Sequence, residues 1–134
     1  MPTVREEMLD VRSDEDVVRV RQITRQWAVG LAFSLVDQTK IVTAASELAR
    51  NTLIHGGGGT TRIEELLDGP RRGLRLTFED KGPGIADLPQ ALRDGYTSGS
   101  GLGLGLGGAR RLSNEFAISS TAGQGTRVSI TRWK

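Results

Sequence analysis

The run Gly99-Ser100-Gly101-Leu102-Gly103-Leu104-Gly105-Leu106-Gly107-Gly108 decides how the rest of the chain is read. It places six glycines in ten residues and feeds directly into a helical pattern. A glycine-rich turn that opens a helix exposes unpaired N–H groups, and the helix dipole adds positive potential there. Together they make a natural seat for phosphate. A flexible linker or a tightly packed helix start would explain the glycines. It would not explain the regularly spaced leucines or the helix that follows at once.

Three well-known phosphate-binding arrangements fail on their own requirements. A P-loop needs Lys followed by Ser or Thr after its last glycine, and here Ala109-Arg110 follows Gly108. A dinucleotide fold needs a strand before Gly103-x-Gly105-x-x-Gly108 and an acid about 20 residues on. Gly95-Tyr96-Thr97-Ser98 is no strand, Thr126-Arg127-Val128 holds no acid, and too little chain remains. A eukaryotic-type kinase needs His-Arg-Asp and Asp-Phe-Gly motifs, and neither occurs.

Upstream lie two further polar constellations. Asp80-Lys81-Gly82-Pro83-Gly84-Ile85 follows the alternating strand pattern Leu74-Arg75-Leu76-Thr77-Phe78. A carboxylate at a strand end, beside a glycine turn that admits close approach, suits an exocyclic amine such as adenine's. A plain turn is the competing explanation, since this is good turn chemistry. Glu47-Leu48-Ala49-Arg50-Asn51 puts a carboxylate and an amide at i and i+4, on one helix face. Such a pair suits a Mg²⁺ ion with a hydroxyl beside it. Two solvated polar residues on an exposed face are the simpler reading. His55, one turn further on, reads as a helix-end residue rather than a ligand.

Around these motifs the chain reads as one domain over residues 1–134, in the order β-α-α-β-β-α-β-β. Residues 3–12 form a short strand. Ser13 opens a helix through Val17, Val20, Trp27 and Leu31 that ends near Gly30. A second helix opens around Asp37-Gln38-Thr39, buries Ile41, Ala44, Ala45, Leu48 and Thr52, and stops at Gly56–Gly59. Residues 62–67 pair with 73–78 in a hairpin about Asp68-Gly69-Pro70. Residues 80–100 form a loop with one helical turn at Leu88–Leu92. A third helix then runs through Ala109, Leu112 and Phe116. Strands at Ala117–Ser120 and Arg127–Arg132 close the chain around Gly123-Gln124-Gly125. The expected fold is an α/β two-layer sandwich, a mixed and mainly antiparallel sheet covered on one face by helices.

Composition narrows the function. The 134 residues hold 18 glycines, about 13% where roughly 7% is usual, so the excess calls for a cause. Eight of the 18 fall in the Gly99–Gly108 and Gly82/Gly84 motifs, and those at 123 and 125 read as turn residues. There is no cysteine and one histidine, which excludes disulfide scaffolds, cysteine zinc sites and histidine-rich metal sites. The net charge of +2, without a basic run longer than a pair, gives no nucleic-acid stripe. No membrane-length apolar run and no signal peptide are visible, so a cytoplasmic protein without a membrane partner is expected.

Taken in order, Glu-x-x-x-Asn on a helix, Asp-x-Gly-x-Gly after a strand, Gly-x-Gly-x-Gly into a helix and Gly-x-Gly-Thr resemble the GHKL (Bergerat-fold) ATPases. That superfamily includes histidine kinases, gyrase, Hsp90 and MutL. The resemblance spans about Asp37 to Arg132 and implies ATP and Mg²⁺ as cofactors. It implies Glu47 as general base and Asn51 as the Mg²⁺ ligand. Asp80 would bind the adenine amino group, walled by Gly82, Gly84 and Ile85, with Thr126 near the base. Gly99, Ser100, Gly101, Leu102, Gly103, Leu104 and Gly105 would close over the triphosphate.

Chain length then points to the small bacterial serine kinases of the anti-sigma factor group, and within them Glu47-Leu48-Ala49-Arg50-Asn51, the run from Gly101 to Phe116 and the four glycines after His55 most resemble the stressosome switch-kinase type. Thr52 stands where the anti-sigma factors usually carry alanine, while His55 matches their pattern. The resemblance implies Ser or Thr hydroxyls of STAS-domain scaffold and antagonist proteins as substrates, and binding and activation of a PP2C-type phosphatase regulator. Two alternatives stay open: an anti-sigma factor kinase that sequesters a sigma factor, and a non-catalytic nucleotide-gated binding module.

Overall fold

In the computed structural model, residues 3–85, 92 and 105–134 are described. The elements are β1 (Thr3–Val11), α1 (Asp14–Gly30), α2 (Leu35–Ile54), β2 (Gly59–Asp68), β3 (Arg71–Asp80), α3 (Leu106–Arg111), β4 (Glu115–Thr121) and β5 (Gly125–Trp133). The five strands form one sheet in the order β1-β2-β3-β5-β4. All four of its pairings are antiparallel, so the mixed sheet expected from sequence has no parallel pair among the described residues.

Local chemistry sets the element ends. Ser13 caps α1, its Oγ accepting from the Asp16 N–H, and Asp14, Glu15 and Asp16 complement the dipole in the first turn. α2 opens two residues earlier than the expected Asp37, because Ser34 is its cap and accepts from the Asp37 N–H at 3.1 Å. Asp37 is thus the third residue inside the helix, as in a capping box. β2 and β3 meet in a two-residue turn, Asp68 opposite Arg71, and Gly69 takes the positive φ of 60° that a primed hairpin turn demands.

The third helix is shorter than expected. α3 ends at Arg111, and Phe116 belongs to β4. Ser113 and Asn114 end it. The Ser113 hydroxyl donates to the Ala109 carbonyl, and Asn114 joins the sheet through Thr131 and the Trp133 N–H. Such polar side chains compete with the helix for backbone partners. The helical turn expected at Leu88–Leu92 lies outside the described residues except for Leu92, which packs against the core.

The core lies between the helices and one face of the sheet. Val20, Trp27, Ile41 and Leu48 from the helices meet Leu76, Phe78 and Ile130 from the strands. Losing one such large side chain costs about 2–5 kcal/mol, so this packing fixes how α2 sits over β3. The opposite sheet face buries Leu66 and Trp133 at one end and is otherwise polar but paired: Arg75 grips Glu64 through two hydrogen bonds, and the Thr77 and Ser129 hydroxyls share one at 2.7 Å. That pairing covers Thr77 on a face where alternation alone expects exposure. No helix among the described residues is long and apolar enough to cross a membrane.

Candidate nucleotide site

At the end of the sheet, where β3 stops, a cavity of about 170 Å³ opens between α2, β3, β5 and the start of α3. Leu48, Phe78, Leu106 and Val128 form its apolar wall. Asn51, His55, Asp80 and Thr126 supply the polar groups, and Gly84 and Ile85 the rim. A small apolar pocket with a few convergent polar groups is the usual form of a ligand site.

The sheet register explains the polar cluster. Phe78 pairs with Val128 and Val128 with Ile118, an apolar row on the helix-facing side. Two residues on, Asp80 pairs with Thr126 and Thr126 with Ser120. Residues two apart share a face, so the apolar row is followed by a polar row, Asp80-Thr126-Ser120, at the sheet's end.

Asp80 is tightly enclosed. Its Oδ1 accepts the Gly82 N–H at 2.9 Å. Gly56, just past α2, comes so close that a Cβ there would lie 2.4 Å from Asp80 Cγ. A Cβ on Gly82 would lie 2.7 Å from Gly56 Cα, and one on Gly125 would lie 2.1 Å from the Asp80 carbonyl oxygen. Three glycines therefore let the helix end, the 80–84 turn and the β4–β5 hairpin converge around Asp80, Gly56 against its carboxylate and Gly125 against its backbone. In the sequence, Gly56 reads as the end of a helix and Gly125 as an ordinary turn residue. Both also serve a close approach, which composition signals only as excess glycine.

The turn after Asp80 is pinned to the same hairpin. Gly84, at φ 78°, lies against the Thr121 carbonyl, and the Gly123 N–H donates to the Pro83 carbonyl at 2.8 Å. The Ile85 N–H donates to Ser120 Oγ at 2.7 Å, and that hydroxyl lies 2.9 Å from Thr126 Oγ1.

On the other side, Glu47 and Asn51 stand one turn apart on α2. Asn51 lines the cavity, and Glu47 lies beside it. Gly105, at φ 67°, rests on Glu47, where a Cβ would fall 2.7 Å from Oε2. The end of the glycine-rich segment is thus brought to the proposed base. Of the expected site residues, Asn51, Asp80, Gly84, Ile85 and Thr126 line one cavity. Gly82, Glu47 and Gly105 are not among the lining residues: Gly82 donates its N–H to the Asp80 carboxylate, and Glu47 meets Gly105, the neighbour of the lining residue Leu106. Gly99, Ser100, Gly101, Leu102, Gly103 and Leu104 lie outside the described residues.

A polar clamp secures the helix that leaves this segment. Arg132 binds Asp37 of α2 at 2.8 Å and donates to the Leu112 carbonyl just after α3 at 3.0 Å. The Arg132 guanidinium holds the Asp37 carboxyl below its usual range. Neither Asp37 nor Arg132 stands out in the sequence, because the two are 95 residues apart.

Comparison with known proteins bears on the same elements. Residues 36–134 match the model of the histidine kinase-, DNA gyrase B- and HSP90-like ATPases. The serine/threonine-protein kinase RsbT of Bacillus subtilis is 42% identical over 123 residues, covering 92% of each chain. An anti-sigma F factor of Clostridium novyi is 32% identical over 103 residues, covering 71% of this chain and 70% of its own. Among solved structures, the RsbU and RsbW domains of a Mycobacterium tuberculosis protein superpose over 98% of this chain at a TM-score of 0.66 and 21% identity. This chain spans one third of that longer one, 33% of its length. The catalytic domain of the histidine kinase ThkA superposes over 94% of this chain and 95% of its own, at a TM-score of 0.53 and 14% identity. These two likenesses concern the fold.

Proposed function

The chain belongs to the histidine kinase-, DNA gyrase B- and HSP90-like ATPase family, and on that premise we propose that it is an ATP-dependent serine/threonine protein kinase. The observation that carries the reading is the cavity lined by Asn51, Asp80, Gly84, Ile85 and Thr126, with Glu47 one helical turn from Asn51 and against Gly105.

In this reading Asp80, held by the Gly82 N–H, accepts a hydrogen bond from the adenine amino group. Gly84 and Ile85 flank the base, and Thr126 stands next to Asp80 in the sheet. Glu47 takes the proton of a partner's Ser or Thr hydroxyl as that oxygen attacks the γ-phosphorus. The 99–105 backbone stabilises the charge that develops on the transferred group. Among the described residues there is no cluster of three acids or histidines able to hold a metal. One amide oxygen, that of Asn51, suits Mg²⁺, which is commonly held by one or two protein ligands together with substrate phosphates and water. Bound there, Mg²⁺ supplies neutralisation of phosphate charge.

The 42% identity to a serine/threonine-protein kinase supports Ser or Thr hydroxyls as acceptors, and the motif resemblance suggests that they lie on STAS-domain scaffold and antagonist proteins. A second proposed role is binding and activating a PP2C-type phosphatase regulator, and the proposed compartment is the cytoplasm. A second reading, an anti-sigma factor kinase that sequesters a sigma factor, is favoured by the 32% identity to an anti-sigma F factor. Incubation with γ-labelled ATP, Mg²⁺ and the STAS proteins encoded nearby, alongside capture with a sigma factor, separates the two. Label on a STAS protein without sigma capture supports the first. Stable sigma capture supports the second. No label on any STAS protein together with no sigma capture sinks both.

A further inference from the structure

Ser120 sits outside every motif that marks the site, yet its hydroxyl is the junction of two of them. Its Oγ accepts the Ile85 N–H at 2.7 Å, lies 2.9 Å from Thr126 Oγ1, and reaches the Gly125 carbonyl at 3.2 Å. One small side chain thereby ties the turn after Asp80 to the hairpin that carries Thr126.

A hydroxyl has one proton to give. The Ser120 hydroxyl donates to the Gly125 carbonyl, so the Thr126 proton points to Ser120, and Thr126 offers only lone pairs to a ligand. Ser120 thereby sets Thr126 as an acceptor toward a ligand, one strand from Asp80, which suits the 6-amino donor of adenine and not a 6-oxo group. We propose that Ser120 is a positioning residue for base recognition, acting through Thr126 and the Ile85 backbone to set the preference for an adenine over a purine that carries a 6-oxo group. This inference rests on the nucleotide reading of the cavity and names what sets its selectivity.

Removing the hydroxyl leaves the Ile85 N–H without its partner and lets Thr126 rotate. Both effects fall on the groups around the 6-position of the base rather than on the phosphates. The test compares ATP and ITP affinities by calorimetric titration for wild type, Ser120→Ala and Ser120→Thr, with thermal melts run alongside. ITP replaces the 6-amino donor of ATP by an oxygen acceptor.

Wild type is expected to prefer ATP, and Ser120→Ala to lose about tenfold in ATP affinity with a much smaller change for ITP. Ser120→Thr, which keeps the hydroxyl, is expected to restore the ratio. Equal losses for both nucleotides, or an unchanged ATP/ITP ratio in a folded Ser120→Ala, overturns the role of Ser120 and leaves the cavity assignment standing. Failure of the wild type to bind either nucleotide overturns the cavity assignment itself.

Discussion

Replacing Gly56 by alanine probes the cavity through Asp80, against which the added methyl group would press. Gly56 does not adopt a positive φ, so its backbone accepts a Cβ. The obstacle is Asp80, whose Cγ, Cβ and Oδ2 would lie 2.4, 2.5 and 2.6 Å from the new atom. Comfortable contacts lie near 3.5–4.0 Å, so the carboxylate has to retreat by about 1 Å, which is enough to break its hydrogen bond to the Gly82 N–H and misplace it for a ligand. A hydrogen bond involving a charged group is worth about 1.5–3 kcal/mol. At about 1.4 kcal/mol per tenfold, Gly56→Ala should weaken ATP binding by about 10- to 150-fold.

Gly57→Ala is the control. Gly57 has φ 74°, and a Cβ added there would meet nothing within 4 Å, so the cost is conformational and falls on stability. It amounts to about 1 kcal/mol. Calorimetric titration with ATP and a denaturant melt of both variants separate the effects. An unchanged ATP Kd in folded Gly56→Ala refutes the claim that Asp80, held by this glycine cradle, anchors the nucleotide.

Asp80→Asn should weaken ATP binding by about tenfold or more while the melting temperature changes little, since it removes the charge at nearly constant volume; unchanged affinity contradicts the adenine role. Acid sensitivity follows from two carboxylates. The hydrogen bond from Arg132 holds Asp37 below its ordinary 3.8, and that from Arg75 holds Glu64 below its ordinary 4.5. Folded-state values below the unfolded ones mean that the stability they contribute is present above those ordinary values and is lost as pH falls through the depressed ones. Denaturant midpoints should therefore hold from neutral pH to about 5 and fall below about 4, with a shallower fall in Glu64→Gln. An identical acid limb in that variant removes Glu64 from the explanation.

The order of elements was legible because turn chemistry is local. Ser13 starts a helix, Asp68-Gly69-Pro70 turns a hairpin, and Gly123-Gln124-Gly125 turns another. The motif residues Asn51, Asp80 and Thr126 were legible for a similar reason, since each carries its spacing with it. Phe116 was misplaced because Leu112 and Phe116 are four apart, a helical interval, and only the sheet bonds of Asn114 reveal that the helix has already ended. Ser120 was invisible because its meaning depends on the register that sets it beside Thr126. Gly56 and Gly125 were visible as glycines, but not as neighbours of the same aspartate.

The most direct measurement pairs ATP binding with phosphoryl transfer in Glu47→Ala. Glu47 lies against Gly105, one turn from Asn51, and is proposed to act on the acceptor hydroxyl rather than on the nucleotide. General-base catalysis contributes about 10²- to 10⁴-fold in rate. The variant should bind ATP nearly as wild type does, while its labelling of a STAS partner falls by two or more orders of magnitude. Labelling at the wild-type rate contradicts the assignment of Glu47 and, with it, the mechanism proposed for this chain.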